Sequence, residues 1–415
     1  MKRKMVSALL AATLVMTALA GCGGGSDSTA SESDTAAEAT GEAEADDSAA
    51  EESTDTADEA ADEEATADAS GNISVKVGWA PPDVTGVFAT AEDNMNKAIE
   101  DAKQYGIDVE LTTIASPDET QVENQVRSLE NLIQSGMDMI ICSPGSFDAV
   151  SQTLYDAVDQ GIELILVNVA ADEVPDDLDC TIIGFDNTEA GTVSGYAMLD
   201  QLGGPGVVEP GEQVEVAEDE WLDLEWWEDL YADFDYSSIE GKVAVIGGIE
   251  GSIYSNNRLA GFNSVMDKCE NVEVVDTLYA DWAREAGTSA AENILQANPE
   301  LDAIWSASSE MTMGAVTAVS NLNRTEVLIS GNDGTEETVD AIRNGQIVTE
   351  TWHGFPEWGW YGIQYAVMLA TGQGDDVPDF YDICPRTEYA GNADQFYPDT
   401  KLDAIPWEDI IANAS

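Results

Sequence analysis

Positive charge is what this chain has least of. Fifteen Lys and Arg stand against 82 Asp and Glu in 415 residues, a formal charge of −67. Nucleic acid and anionic lipid surfaces repel such a chain, so neither is expected as a direct partner. Histidine is nearly absent too, with His353 alone. A Ser/His/Asp arrangement could form only around that residue, and no G-x-S-x-G elbow accompanies it. Neither a Walker A lysine loop nor an H-E-x-x-H motif occurs. No enzyme activity, cofactor or zinc site is therefore expected. The five cysteines lack C-x-x-C spacing. Cys142, inside an apolar stretch, reads as a buried thiol, and pairing among Cys142, Cys180, Cys269 and Cys384 stays open between three arrangements.

Long apolar runs are equally scarce. One, Met5–Ala20, comes directly after Lys2, Arg3 and Lys4. It is short for a membrane span and closes on small residues, so it reads as a cleaved export signal over residues 1–21. Leu19-Ala20-Gly21-Cys22 resembles the lipobox of bacterial lipoproteins, and the resemblance implies a lipid on Cys22. The expected location is extracytoplasmic, anchored to the cell membrane through that lipid. Gly23–Gly71 contains no Lys, no Arg and no aromatic residue. Its composition offers too little apolar surface to offset ordering entropy, so residues 22–72 read as a disordered acidic linker. Its random-coil reach is about 35–40 Å.

From Ile73 onward the pattern changes. Short apolar strands are expected at Ile73–Ala80, Val109–Ala115, Met137–Cys142, Ile162–Val167, Thr181–Phe185, Val243–Gly247, Val272–Leu278, Ala303–Ala307, Val327–Ser330 and Ile347–Thr351. Helical stretches lie between them; Val122, Val126, Leu129 and Ile133 recur at spacings that share one helical face. Apolar strands alternating with helices imply an α/β fold with parallel sheets covered on both faces. Ligands of such sheets bind beyond the carboxyl ends of strands. That rule marks Pro81–Phe88, Ser143–Phe147, Asn168–Ala170, Glu250–Arg258, Ser308–Glu310 and Asn332–Thr335 as the rim.

Five strings in this region, LILVNVA (Leu164–Ala170), IIGFDNTEAG (Ile182–Gly191), GIEGSIYSNNRLAGF (Gly248–Phe262), SSEMTMGAV (Ser308–Val316) and ISGNDGTEE (Ile329–Glu337), are similar in order and spacing to the sugar-binding proteins of ribose- and galactose-type ABC importers. The resemblance spans Ile73 to about Cys384. It implies the type 1 periplasmic binding protein fold: two Rossmann-like lobes with parallel sheets, joined by three crossover strands and closing on ligand. Lobe one would comprise residues 73–185 and 354–384, and lobe two residues 186–353 and 385–415.

The resemblance also nominates ligand contacts. Asp333 stands where the family places a hydroxyl-accepting Asp; its plain alternative is capping the next helix. Asn168 matches the asparagine of galactose/glucose-type members, although Asn168-Val169 replaces the Asp-Arg pair of ribose-type members. Trp282 and Phe88 would cover the two faces of a sugar ring, with Trp79 as runner-up to Phe88 and core packing as the alternative for each. Asn256 aligns with a ligand arginine and Arg258 with a structural one. Ser308 replaces a common Asn or Asp, and His353 lies near a glutamine of ribose-type members or is simply packed. The departures at Val169, Asn256 and Ser308 leave sugar identity open.

Residues 207–240 depart from the family. The stretch carries thirteen acidic residues, no basic ones, and Trp221, Trp226 and Trp227. It reads as an acidic, Trp-rich surface insertion in which Trp221, Leu224 and Trp227 share one face of a short helix. Packing onto lobe two and docking to a partner are both open, and no EF-hand spacing supports calcium. The expected function is a lipid-anchored solute-binding receptor that delivers a sugar or sugar-like molecule to ABC permease subunits. A signalling receptor, or a binder of a nucleoside or amino-acid-like solute, would use the same fold.

Overall fold

Alternating apolar strands and amphipathic helices build two parallel sheets in the computed structural model, which describes residues 73–115, 122–208, 214–217 and 220–414. The expected export signal, Cys22 and the acidic linker lie outside the described residues. The chain begins with β1 (Ile73–Ala80), α1 (Gly86–Gln104), β2 (Ile107–Thr113), α2 (Val122–Gln134), β3 (Met139–Cys142), α3 (Phe147–Val158), β4 (Glu163–Val167) and β5 (Thr181–Gly184). It continues with α4 (Asn187–Gln201), α5 (Leu224–Tyr231), β6 (Gly241–Gly247), α6 (Ile253–Met266), β7 (Val272–Tyr279), α7 (Arg284–Ala297), β8 (Ala303–Ser306), α8 (Ser309–Leu322), β9 (Leu328–Ser330), α9 (Glu336–Arg343) and β10 (Thr349–Trp352). The last elements are α10 (Phe355–Ala370), β11 (Phe380–Asp382), β12 (Arg386–Tyr389) and α11 (Trp407–Asn413).

The first sheet has the order β11-β5-β4-β3-β1-β2 and the second β12-β10-β9-β8-β6-β7. All pairs are parallel except β10 with β12. The two orders are the same winding twice, each reversing direction beside its first strand. That reversal opens a crevice at the strands' carboxyl ends between β1 and β3, and another between β6 and β8. Strands β3, β5, β8 and β10 are buried at every residue, as helices on both faces require.

Three passages link the lobes. After β5 the chain enters α4, which packs on α6 in the second lobe; after β10 it enters α10, which packs on α1 in the first; and β11 leads to β12 in the other sheet. The α4–α6 crossing is close because Gly191 and Gly261 lack side chains: a Cβ on either would lie 2.0 Å from the carbonyl of Arg258 or Thr188. That contact fixes the backbone that carries Arg258.

Two expectations need correction. The carboxyl-terminal tail does not stay with the second lobe. Trp407 and Ile410 join the first lobe's core, and Trp407 Nε1 donates to Asp101 on α1 at 2.8 Å. Burial of Trp407 and Ile410 in that core explains the return. In the insertion, the helix starts at Leu224 with Asp223 as its cap, so Trp221 precedes it. Trp227 and Tyr231 are buried in the second lobe's core, whereas Trp221 is 51% exposed and lies over the Arg386 guanidinium at 4.0 Å. Leu222 O accepts from Thr387 N and Trp227 Nε1 donates to Thr387 Oγ1, so this segment rests on β12 beside the third passage between lobes. Cys142, Cys180, Cys269 and Cys384 are free thiols, and burial pushes the pKa of Cys142 well up.

Candidate functional site

Backbone strain is concentrated where the two crevices face each other. Six described residues other than glycine have positive φ; four of them, Asn168 (64°), Asp281 (47°), Trp282 (61°) and Asp333 (109°), line one cavity. Such conformations cost free energy and persist where surrounding structure holds them, often at ligand sites. Each of the four lies just past the carboxyl end of a strand, where the chain must turn abruptly to send a side chain into the cleft.

The cavity has a volume of about 370 Å³. The first lobe contributes Asp83 from the β1–α1 turn, Phe88 from the first turn of α1, Pro144 and Gly145 after β3, and Asn168 after β4. The second contributes Tyr254 and Arg258 from α6, Asp281 to Arg284 after β7, Ser308 and Glu310 at the start of α8, and Asp333 after β9. Phe355, at the second passage, completes the wall. Six of the sequence-nominated residues thus meet: Phe88, Asn168, Arg258, Trp282, Ser308 and Asp333. Trp79 is fully buried in the first lobe's core.

Arg258 and Asp333 form the electrostatic centre. Arg258 Nη1 donates to Asp333 Oδ1 at 2.8 Å and to Ala307 O at 2.8 Å, while Nε donates to Asn187 Oδ1. Both side chains are under 10% exposed. Asp333 Oδ2 accepts from Ser309 N at the start of α8. Asp333 therefore does not cap the helix after it; Thr335 does. Ser308 accepts from Met311 N and caps α8 while one side of it faces the cavity. The Trp282 ring lies against the backbone of Gly248, where a Cβ would be 2.2 Å from the indole. Only glycine permits that seat.

Two nominated residues stand elsewhere. Asn256 is exposed and does not line the cavity. The reason is helical geometry: Tyr254 and Arg258 are four residues apart and share a face of α6, and Asn256, midway between them, points away. His353 is fully buried behind Asp333, its ring 4.2 Å from that of Phe185. Its Nδ1 lies 3.3 Å from Asp333 Oδ1 without hydrogen-bond alignment. Burial, helped by Arg258, lowers its pKa to about 4.

Sequence reasoning missed several groups. Glu350 and Glu388 face each other across β10 and β12, both fully buried. Glu350 Oε2 accepts from Ser309 Oγ at 2.9 Å and from Gly334 N at 3.1 Å, bracing the loop that carries Asp333. Burial holds both carboxyls well above the usual carboxylate range, with Asp333 adding to each. A glutamate in a strand looks solvent-facing, so no signal marked them. Tyr254 was also missed, although its spacing from Arg258 could have revealed it. Its hydroxyl donates to Pro144 O at 2.9 Å, and Asn257 Nδ2 donates to Glu173 Oε1 at 3.2 Å, so α6 holds the lobes together at the cleft mouth.

No group of three His, Cys, Asp or Glu is spaced for a metal among the described residues. What the cavity combines is ring faces (Phe88, Trp282, Phe355) with amide, guanidinium and carboxylate edges. Rings cover apolar C–H faces, and planar polar groups exchange paired hydrogen bonds with neighbouring hydroxyls. A volume of this order suits a small molecule enclosed on most sides.

Comparison with known proteins bears on this arrangement. A family model described as a periplasmic binding protein domain matches residues 77–374. The ribose import binding protein of Bacillus subtilis (strain 168) is 24% identical over 61% of this chain and 69% of its own length. The D-allose-binding periplasmic protein of Escherichia coli (strain K12) is 27% identical over 61% of this chain and 72% of its own length. Among solved structures, an ABC transporter periplasmic solute binding protein from Actinobacillus succinogenes 130z, with bound D-allose, superposes with a TM-score of 0.62. It is 22% identical, over 78% of this chain and 100% of its own.

Proposed function

The chain belongs to the periplasmic binding protein family, as a sugar-binding type 1 member of the kind that serves ABC transporters, and from that premise we propose that it captures a sugar or sugar-like small molecule by closure of its two lobes. The cavity encloses the ligand between Phe88 and Trp282, with Asp333, Arg258, Asn168 and Ser308 at its hydroxyl edges. His353, Glu350 and Glu388 are positioning residues that hold the Asp333 loop from behind. Function is capture and release, with the closed form docking on permease subunits. A lipid on Cys22 would keep the protein beside them, outside the cytoplasm.

The observation that carries this reading is the convergence, on one interlobe cavity, of four strained non-glycine residues with two aromatic faces and a buried Arg–Asp pair. Strain of this kind is retained where it presents side chains to a ligand. Relatives with names such as ribose import binding protein support a sugar-like ligand without fixing which one.

The test is thermal unfolding of the purified protein against mono- and disaccharides, polyols, nucleosides and amino acids. A ligand at 100 times its Kd adds about 2.7 kcal/mol and raises the midpoint visibly. A shift with a sugar or polyol that is lost in Trp282→Ala supports the reading. Shifts with nucleosides or amino acids alone would contradict it.

A further inference from the structure

Charge inside the cleft is unevenly spent. Four carboxylates line the cavity, Asp83, Asp281, Glu310 and Asp333, against two guanidiniums, Arg258 and Arg284. Both guanidiniums are committed to protein partners. Arg258 is held by Asp333 at 2.8 Å; Arg284 by Glu310 at 2.8 Å and by Glu337 at 2.6 Å. Each guanidinium is thus already neutralised by a carboxylate, so a sugar acid or sugar phosphate would bring uncompensated negative charge to the cavity. It would also enter a site whose lining carries net negative charge.

The mouth of the cleft repeats the imbalance. A second cavity adjoins the first and is lined by Asp148, Glu173 and Asp281, with no Lys or Arg. Asp281 belongs to both cavities. Asp83 stands on the first lobe's wall and Asp281 on the second's, so both walls of the cavity carry negative charge. A protonated amine on the ligand would be attracted by this negative lining, and an uncharged hydroxyl would not. Among the described residues the Asp281 carboxylate has no hydrogen-bond or ion-pair partner. It lines the same cavity as Trp282, the next residue in the chain.

We infer that this cleft selects a sugar-like ring bearing a protonated amine, with Asp281 as the specificity-determining carboxylate, and rejects anionic sugars. The inference rests on the sugar-like reading of the cavity proposed above. Asp281 is exposed, so its preference is modest: about fivefold for the amine over the parent alcohol at low salt. Screening should shrink that ratio as salt rises beyond the physiological range.

The experiment is calorimetric titration of the purified protein at about pH 6.5, where amines are protonated. Neutral sugars and polyols that bind are each compared with their amino and uronic acid counterparts. Tighter binding of the amine, no binding of the acid, and a ratio falling toward one both in Asp281→Asn and at high salt are expected. If the neutral parent binds as tightly as its amine, or the acid binds at all well, the inference fails while the sugar reading stands. If no neutral sugar, polyol or amino counterpart binds, the underlying reading fails with it. If the preference persists unchanged in Asp281→Asn, the assignment to this carboxylate is wrong.

Discussion

Removing the Asp333 carboxylate would leave Arg258 buried with an uncompensated charge, because both side chains are under 10% exposed. Asp333→Ala should therefore cost about 3–5 kcal/mol, measured by urea unfolding, in addition to weakening ligand binding. Asp333→Asn keeps the Ser309 N–H acceptor and should cost less. The groups behind it predict opposite pH effects. His353 has a folded pKa of about 4, below its ordinary 6.5. The unfolded chain binds the extra proton between those values, so the contribution is lost as pH falls from 6.5 toward 4, and His353→Gln should flatten that slope. Glu350 is raised above its ordinary 4.5, so its contribution is present below 4.5 and lost as pH rises. Glu350→Gln should raise the midpoint at pH 8 and change it little near pH 4.5, by thermal unfolding at both. That Asp333, Asn168 and Trp282 line one cavity could be anticipated from the sequence, because each stands just past the carboxyl end of an apolar strand. His353 and Asn256 were not, since burial depth and helical facing depend on neighbours distant in the chain.

The insertion divides into parts of unequal weight. Trp227 fills the second lobe's core and donates to Thr387 at 2.9 Å, so Trp227→Ala should cost about 3–5 kcal/mol in denaturant unfolding. Trp221 only covers Arg386 from the solvent side, and its loss should cost about 1 kcal/mol or less. Composition showed that this segment departs from its surroundings, and Trp227 packs as one of the two expected alternatives required. The position of Trp221 outside the helix was hidden because three-residue spacing alone does not say where a helix starts; Asp223 as the cap decides it. All ten expected strands are present within a few residues, since continuous apolar runs bounded by turns are a strong signal. β11 and β12 are three and four residues long and lie at sheet edges, too short to carry such a signal. The return of α11 to the first lobe depends on which core has room for Trp407, a property of the assembled molecule.

At the scale of the whole molecule, hydrogen bonds tie the two lobes together across the cleft. Tyr254 to Pro144 and Asn257 to Glu173 bridge the lobes at the cleft mouth. Tyr254→Phe removes one hydrogen bond worth about 1 kcal/mol, so it should shift the ligand-free protein toward open forms and weaken affinity about fivefold. Small-angle scattering would show a larger radius of gyration without ligand and recovery at saturation. An unchanged radius and affinity would mean that this bond does not latch the lobes. The measurement that tests the central claim most directly is calorimetric titration with the sugar or polyol that gives the largest thermal shift, on the wild-type protein and on Trp282→Ala. The account predicts one ligand per chain and an affinity at least about tenfold weaker in the variant, with unfolding still cooperative. Equal affinity in the two proteins, or no binding of any sugar or polyol to the wild type, would contradict it.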